Sequence, residues 1–194
     1  MQLHSSELHA MIDLETLSLG TKAIVTEVGL VLFDPYNNGM LGGSHSWLLQ
    51  MKPQMRQHDI ETWQWWLEQS DEARKKMAVR DKDRMPIDHF FEHFGHINWA
   101  DIKGVWANGL NFDVPILTSF FTDFGREVPW HYRTPRDYRT ICWLADLPKD
   151  QQVKPALAHS AESDAIAQAL TVQRAFAKIH GWKERALEPN YTGS

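Results

Sequence analysis

The stretch LHAMIDLET, residues 8–16, begins as an apolar run and ends with two acids, Asp13 and Glu15. Its composition predicts a β-strand, and successive side chains of a strand point to opposite faces of the sheet. The two carboxylates therefore share one face, with Cα atoms about 7 Å apart, where they repel each other unless a cation lies between them. On its own the pair is equally compatible with a strand that ends in a solvated turn, because the motif is short.

The rest of the chain alternates between strand-like and helix-like segments. Strand patterns cover residues 8–15, 26–34, 44–51 and 103–108, and a fifth strand is expected to run into a short helix over 136–145. Helical patterns cover residues 58–78, 87–98, 111–125 and 160 to about 179. Gly, Asn and Pro clusters separate the first three strands, which predicts an antiparallel meander. The later alternation of helices and strands indicates a mixed α/β sheet.

Length and composition restrict the class of protein. The chain has 194 residues, which predicts one domain with a core over about 8–180 and a C-terminal tail over about 181–194. No apolar run approaches the roughly 20 residues that span a bilayer, so we expect no membrane partner. The lone Cys142 and an N-terminus without an apolar signal core favour a cytoplasmic location. The formal net charge of −5 argues against coating long nucleic acid, but it allows a small acidic site for metal ions and a nucleic-acid end.

Two further acids, Asp113 and Asp164, lie near predicted helix starts. Asp is also an ordinary capping residue at such positions, so neither acid indicates a site by itself. Together with Asp13 and Glu15 they form a set of four carboxylates, which suits Mg²⁺ or Mn²⁺, and two such ions about 4 Å apart can clamp a phosphoryl displacement. His159 precedes Asp164 by five residues and has the chemistry of a general base near neutral pH.

In chain order, DLE (13–15), NGLNFD (108–113) and HSAESD (159–164) resemble the three motifs of the DEDDh 3'-5' exonucleases. Residues 62–77, 111–117 and 136–140 are similar to the phage exonuclease A type and the related bacterial exoribonuclease branch. The resemblance implies a ribonuclease H-like fold, with a three-stranded antiparallel meander, two parallel strands and flanking helices. It also implies a homodimer, two metal ions and His159 as general base. The implied metal ligands are Asp13, Glu15, Asp113 and Asp164.

The same resemblance suggests which residues contact the substrate. The expected contacts are Leu14, Thr16, Asn108 and Phe112, although Ala107 stands where many relatives have His. Asp137 is expected to orient a metal ligand from the neighbouring strand, or else to pair with Arg136 or Arg139 as an exposed acid at the sheet edge.

Trp65 is an aromatic residue on the polar side of the predicted helix over 58–78. Trp63, Trp66 and Leu67 form the core-facing stripe of that helix. Trp65 either packs under a loop or a dimer partner, or stacks on a substrate base.

These motifs are most consistent with a metal-dependent 3'-5' exonuclease, which releases nucleoside 5'-monophosphates from the 3' end of single-stranded RNA or DNA. One alternative is a zinc peptidase, because HFFEH over 89–93 has the H-x-x-E-H spacing that would use His89, Glu92 and His93. The other is a nucleic-acid-binding module without chemistry, which has the same fold but needs no intact acids.

Overall fold

A five-stranded mixed sheet forms the centre of the molecule in the computed structural model, which describes residues 7–37 and 41–181. The strands are β1 (Leu8–Thr16), β2 (Val25–Phe33), β3 (Leu41–Leu48), β4 (Ile102–Ala107) and β5 (Pro135–Asp137). Their spatial order is β3-β2-β1-β4-β5. The first three strands pair antiparallel, whereas β4 is parallel to both β1 and β5. The predicted α/β architecture of the ribonuclease H-like type is confirmed.

Six α-helices of the described part of the chain flank the sheet. They are α1 (Ile60–Leu67), α2 (Asp71–Met77), α3 (Ile87–Gly95), α4 (Asp113–Asp123), α5 (Tyr138–Leu144) and α6 (Ala161–Ile179). None of the helices in the described part of the chain is long and apolar enough to cross a membrane. The tail expected from about residue 181 lies almost wholly outside the described residues.

The prediction of one continuous helix over 58–78 is wrong. The segment divides into α1 and α2, because the Ser70 hydroxyl accepts a hydrogen bond from the Ala73 amide and begins a second helix. Trp66 lies in the core as expected, with 3% of its surface exposed. Leu67 is 69% exposed, contrary to its place in the predicted stripe, because α1 ends at that residue.

Separate hydrophobic clusters lie on the two faces of the sheet. One contains β1, β2 and β4 side chains together with the phenylalanines of α3 and α4, among them Phe90, Phe94 and Phe120. The other packs α6 against Met11, Val31 and Trp106. The central strand β1 contributes to both clusters, which fixes the orientation of its acidic C-terminal end.

The first turn of α6 lies directly on β2 at Gly29. A Cβ atom at Gly29 would stand 2.1 Å from the backbone carbonyl carbon of Ala161, a distance that real contacts do not reach. Gly29 also pairs with Asp13 in the sheet. The missing side chain therefore allows the start of α6 to approach the acidic end of β1.

Candidate active site

Three acids meet where β1 ends and α6 begins. Asp13 and Glu15 project from β1, and Asp164 projects from the first turn of α6. One carboxylate oxygen from each of the three residues lies within 4.8 Å of the others. The sequence motifs predicted that these acids meet, although Asp164 lies 151 positions after Asp13 in the chain.

Asp113 joins this cluster from the start of α4. Its side chain is 4% exposed, and its Oδ1 accepts a hydrogen bond from the Leu14 amide at 3.2 Å. That bond connects the second motif to the strand residue between Asp13 and Glu15. The negative charge of Asp113 also acts directly on Asp13. The structure therefore brings all four predicted acids to one place.

Burial raises the pKa values of all four acids, and repulsion by neighbouring carboxylates adds to this effect for Asp13, Glu15 and Asp164. The pKa of Asp13 lies well above its usual range, because burial disfavours the charged form and Asp113, Glu15 and Asp164 repel it. Burial together with the charges of Asp164 and Glu27 raises the pKa of Glu15 to about 8. Burial raises the pKa of Asp113 to about 7 and also raises that of Asp164.

The donor set fits hard divalent cations. Carboxylate oxygens are the ligands that Mg²⁺ and Mn²⁺ prefer, and a cation between these acids would favour their ionised forms and offset the repulsion between them. In the described part of the chain, this is the one group of three or more His, Cys, Asp or Glu side chains close enough to share an ion. His159 and Gln168 also lie next to these acids.

Gln168 is a site residue that the sequence motifs did not reveal. Its Nε2 donates a hydrogen bond to Asp13 Oδ1 at 2.7 Å, and its side chain is buried. Its Oε1 is buried without a hydrogen-bond partner among the described residues. A glutamine four residues after Asp164 shares its helix face, and this spacing was the signal that could have indicated its role.

His159 lies in the loop directly before α6, next to Asp164. Its backbone has φ of 61°, in the left-handed region, and its ring contacts Trp65 and Trp66 at centroid distances of 4.8 and 6.2 Å. The amide of the adjacent Ser160 donates a hydrogen bond to Asp164 Oδ2 at 3.2 Å, which places the loop that carries His159 beside this acid. The predicted pairing of His159 with the acids is therefore present in the geometry.

A cluster around Lys76 supports this loop from α2. The Lys76 ammonium contacts Glu27 at 2.6 Å and Ser160 Oγ at 2.7 Å, and Glu27 accepts a further bond from Ser46 at 2.8 Å. Glu27 is 1% exposed and pairs with Glu15 across the sheet. Nothing in the sequence indicated this cluster, because charged residues on a helix usually face solvent.

A cavity of about 1050 Å³ opens beside Glu15. Four of the five predicted substrate contacts line it: Leu14, Thr16, Trp65 and Phe112. Trp65 is 42% exposed and its ring lies nearly perpendicular to that of His159, so it is not a core residue within this chain. Asn108 lies elsewhere, in a second cavity that Asp164 and Gln168 also line.

Asp137 acts as the N-cap of α5. Its carboxylate accepts hydrogen bonds from the Thr140 amide at 2.8 Å and the Leu110 amide at 3.2 Å. Burial opposes its ionisation, but these bonds and the charge of Arg139 outweigh burial and lower its pKa. Asp137 thus ties α5 to the loop that precedes Asp113, which supports an indirect role for this acid.

The HFFEH segment does not form a comparable site. His89, Glu92 and His93 are exposed on α3, whose phenylalanines face the core. In the residues that the structure describes, no third metal ligand stands close to this pair of histidines. The arrangement matches a polar stripe on an amphipathic helix.

The fold and the four acids at the end of its central strand define the class of DEDD-type 3'-5' exonucleases. Within this class, the chain belongs to the family described by the 3'-5' exoribonuclease Rv2179c-like domain, whose model matches residues 8–176.

Known proteins are similar to this chain in sequence and in fold. The exodeoxyribonuclease of Enterobacteria phage T4 is 31% identical over 128 residues, which cover 60% of this chain and 56% of that protein. The chain therefore spans just over half the length of this curated relative.

Among solved structures, exonuclease I in complex with an inhibitor has a TM-score of 0.57 at 13% identity, covering 91% of this chain and 44% of that chain. A full-length 3'-exonuclease has a TM-score of 0.55 at 11% identity, covering 94% and 86% respectively. At these identities the likeness establishes the fold.

Proposed function

We propose that this chain hydrolyses the phosphodiester bond at the 3' end of single-stranded nucleic acid and releases nucleoside 5'-monophosphates. The observation that carries this proposal is the convergence of Asp13, Glu15 and Asp164 within 4.8 Å, beside a cavity of about 1050 Å³. A site with several carboxylates and little positive charge binds a phosphodiester only together with cations. The family assignment and the relatives named as exonucleases support the same activity.

Two divalent ions, Mg²⁺ or Mn²⁺, would supply charge neutralisation for the attacking and leaving oxygens when bound. Asp13, Glu15 and Asp164 are the proposed ligands, with Asp113 completing the set. Gln168 holds Asp13 in place through its hydrogen bond.

His159 is the proposed general base. A water attacks the terminal phosphodiester phosphorus while His159 accepts the water proton, and the bond from phosphorus to the 3' oxygen of the penultimate nucleotide breaks. The electron pair stays on that 3' oxygen, which gains a proton from solvent, and the phosphate leaves on the terminal nucleotide. The cavity lined by Leu14, Thr16, Trp65 and Phe112 would hold the terminal nucleotide.

The type of nucleic acid and the assembly state belong to the same proposal. The family description names an exoribonuclease, whereas the phage relative is named as an exodeoxyribonuclease, so both RNA and DNA are candidate substrates. The homodimer implied by resemblance stays a prediction that sedimentation tests directly. The cytoplasmic location stays a prediction based on the lone Cys142.

Matched 5'-labelled RNA and DNA single strands, each with Mg²⁺, Mn²⁺ or EDTA, test the proposal. We expect stepwise shortening from the 3' end with either metal and none in EDTA. Asp13→Asn removes one ligand charge and is expected to lower turnover at least about 100-fold without unfolding the protein. Shortening that persists in EDTA, or near wild-type turnover by folded Asp13→Asn, would contradict the mechanism.

A further inference from the structure

A second cavity, of about 690 Å³, opens beside the acid cluster, where Asp164 and Gln168 line it. Glu15 lines the first cavity and Asp164 lines the second, while their carboxylate oxygens lie within 4.8 Å of each other. We call the second cavity the α5 groove, because Arg139 and Trp143 of α5 form one wall, with Asn108 and Lys149 nearby. The groove therefore adjoins the proposed site of cleavage at Asp164.

The α5 groove carries positive charge on a protein whose formal net charge is −5. Arg139 and Lys149 are both exposed there. The Arg139 Nε donates to Asn108 Oδ1 at 3.1 Å, and within the described ranges 7–37 and 41–181 the structure gives the remaining donors of this guanidinium no further bond. These groups have the charge and donors needed for phosphate oxygens.

Trp143 is the second feature of this groove. It is 77% exposed, whereas Trp47, Trp66 and Trp106 are each at most 4% exposed. Arg139 and Trp143 are four residues apart on α5, so they lie on the same helix face. An exposed aromatic ring beside basic groups is the combination with which proteins hold single strands, by stacking and by charge.

We propose that the α5 groove binds the strand on the 5' side of the scissile phosphate, with Trp143 stacking on a base and Arg139 and Lys149 contacting phosphates. This inference rests on the proposed function, since the proposed function assigns the first cavity to the terminal nucleotide. The single strand then passes from the first cavity, across the acids, into the groove. Such a track makes strands that are long enough to reach Trp143 better substrates than dinucleotides.

The experiment compares KM and kcat for dinucleotides and for strands of about eight nucleotides, in wild type, Trp143→Ala and Lys149→Gln. Trp143→Ala is expected to raise the KM of the longer strand about fivefold or more, the effect of losing one base stack, with little change in kcat. Lys149→Gln is expected to reduce the slope of log KM against log salt concentration by about 0.7. Leu144→Ala and Lys103→Gln, which change exposed residues outside the groove, are the matched controls.

A binding measurement separates this inference from the proposed function. The anisotropy of a 5'-fluorescent strand is followed in an Asp13→Asn background with Mg²⁺, with and without Trp143→Ala, so no turnover is needed. A weaker affinity with Trp143→Ala supports the groove even if wild type proves not to be an exonuclease. Equal affinity and unchanged KM with Trp143→Ala would overturn the inference. A Trp143→Ala variant that changes only the sedimentation coefficient would also overturn it, because Trp143 would then belong to a contact between two copies.

Discussion

His159 combines an uncommon backbone conformation with a position between two tryptophans and an acid. A φ of 61° is rare for residues other than glycine, and it persists where neighbouring contacts hold it. Here the contacts come from Trp65 and Trp66, and the following Ser160 is fixed by Lys76. The sequence motif indicated His159 as a base, but its support comes from side chains more than 80 residues earlier in the chain.

Replacing His159 tests its role as a base. His159→Ala and His159→Asn are both expected to lower kcat about 100-fold or more, because neither side chain accepts the water proton at neutral pH. Asn is the matched variant for backbone strain, since it tolerates the left-handed region better than Ala. Steady-state kinetics and Mg²⁺ titration measure the effect. A loss of Mg²⁺ affinity as large as the loss in rate would make His159 a metal ligand instead.

The two neighbouring tryptophans of α1 differ in environment and should differ in effect. Trp66 is buried and its Nε1 donates to the Thr16 carbonyl at 3.0 Å, so Trp66→Ala is expected to destabilise the fold by about 3 kcal/mol or more. Trp65 is 42% exposed and lines the first cavity, so Trp65→Ala is expected to raise KM with a small change in melting temperature. Thermal unfolding and single-strand kinetics compare the two. Equal destabilisation by both variants with unchanged KM would remove Trp65 from the site.

At the scale of elements, the approach of α6 to β2 decides whether the site forms. The acid and the histidine of the third motif lie at the start of α6, and this helix reaches Asp13 only because Gly29 has no side chain. The alternation of strand residues could predict β2, but the need for glycine arises from a helix 130 residues further along the chain. A glycine inside a strand can mark a close approach by another backbone, but it does not indicate which element approaches.

Gly29→Ala tests this contact. Its Cβ would fall 2.1 Å from a backbone atom of Ala161, so α6 has to shift, and we expect a loss of roughly 1–3 kcal/mol in stability together with a large fall in kcat. Gly95→Ala is the control, because nothing lies within 4 Å of its added Cβ. Chemical denaturation and turnover measure both variants. Full activity in Gly29→Ala would mean that the placement of α6 does not position Asp164 and His159.

At the scale of the whole molecule, the acid cluster couples stability to pH and to metal. Glu15 has a pKa of about 8 in the fold against 4.5 ordinarily, and Asp113 about 7 against 3.8. An acid whose pKa is raised on folding binds its proton more tightly in the folded state. Its contribution to stability is complete below the ordinary pKa and is lost as pH rises toward the pKa in the fold.

The melting temperature of the metal-free protein is therefore expected to fall as pH rises from about 4 to about 8. Added Mg²⁺ should reverse this fall, and its stabilising effect should be larger at pH 8 than at pH 5, because the ion binds the ionised acids. Thermal unfolding in EDTA and in Mg²⁺ over this range measures both effects. Asp13→Asn lacks one of the repelling charges, so its pH dependence in EDTA should be smaller. A melting temperature of wild type that rises steadily over this range in EDTA would contradict the electrostatic account.

Periodicity along the chain was enough to predict the antiparallel meander and the mixed sheet, and the resemblance of three motifs to a known family was enough to predict the four acids with His159. The packing of distant elements sets which other residues support them. Gln168 reaches Asp13 across 155 positions, and Lys76 reaches Ser160 across 84. It also placed Asn108 in the α5 groove and divided the helix predicted over 58–78. Side-chain periodicity records which face of an element is buried, whereas the partners on that face depend on how the elements pack, which local sequence does not contain.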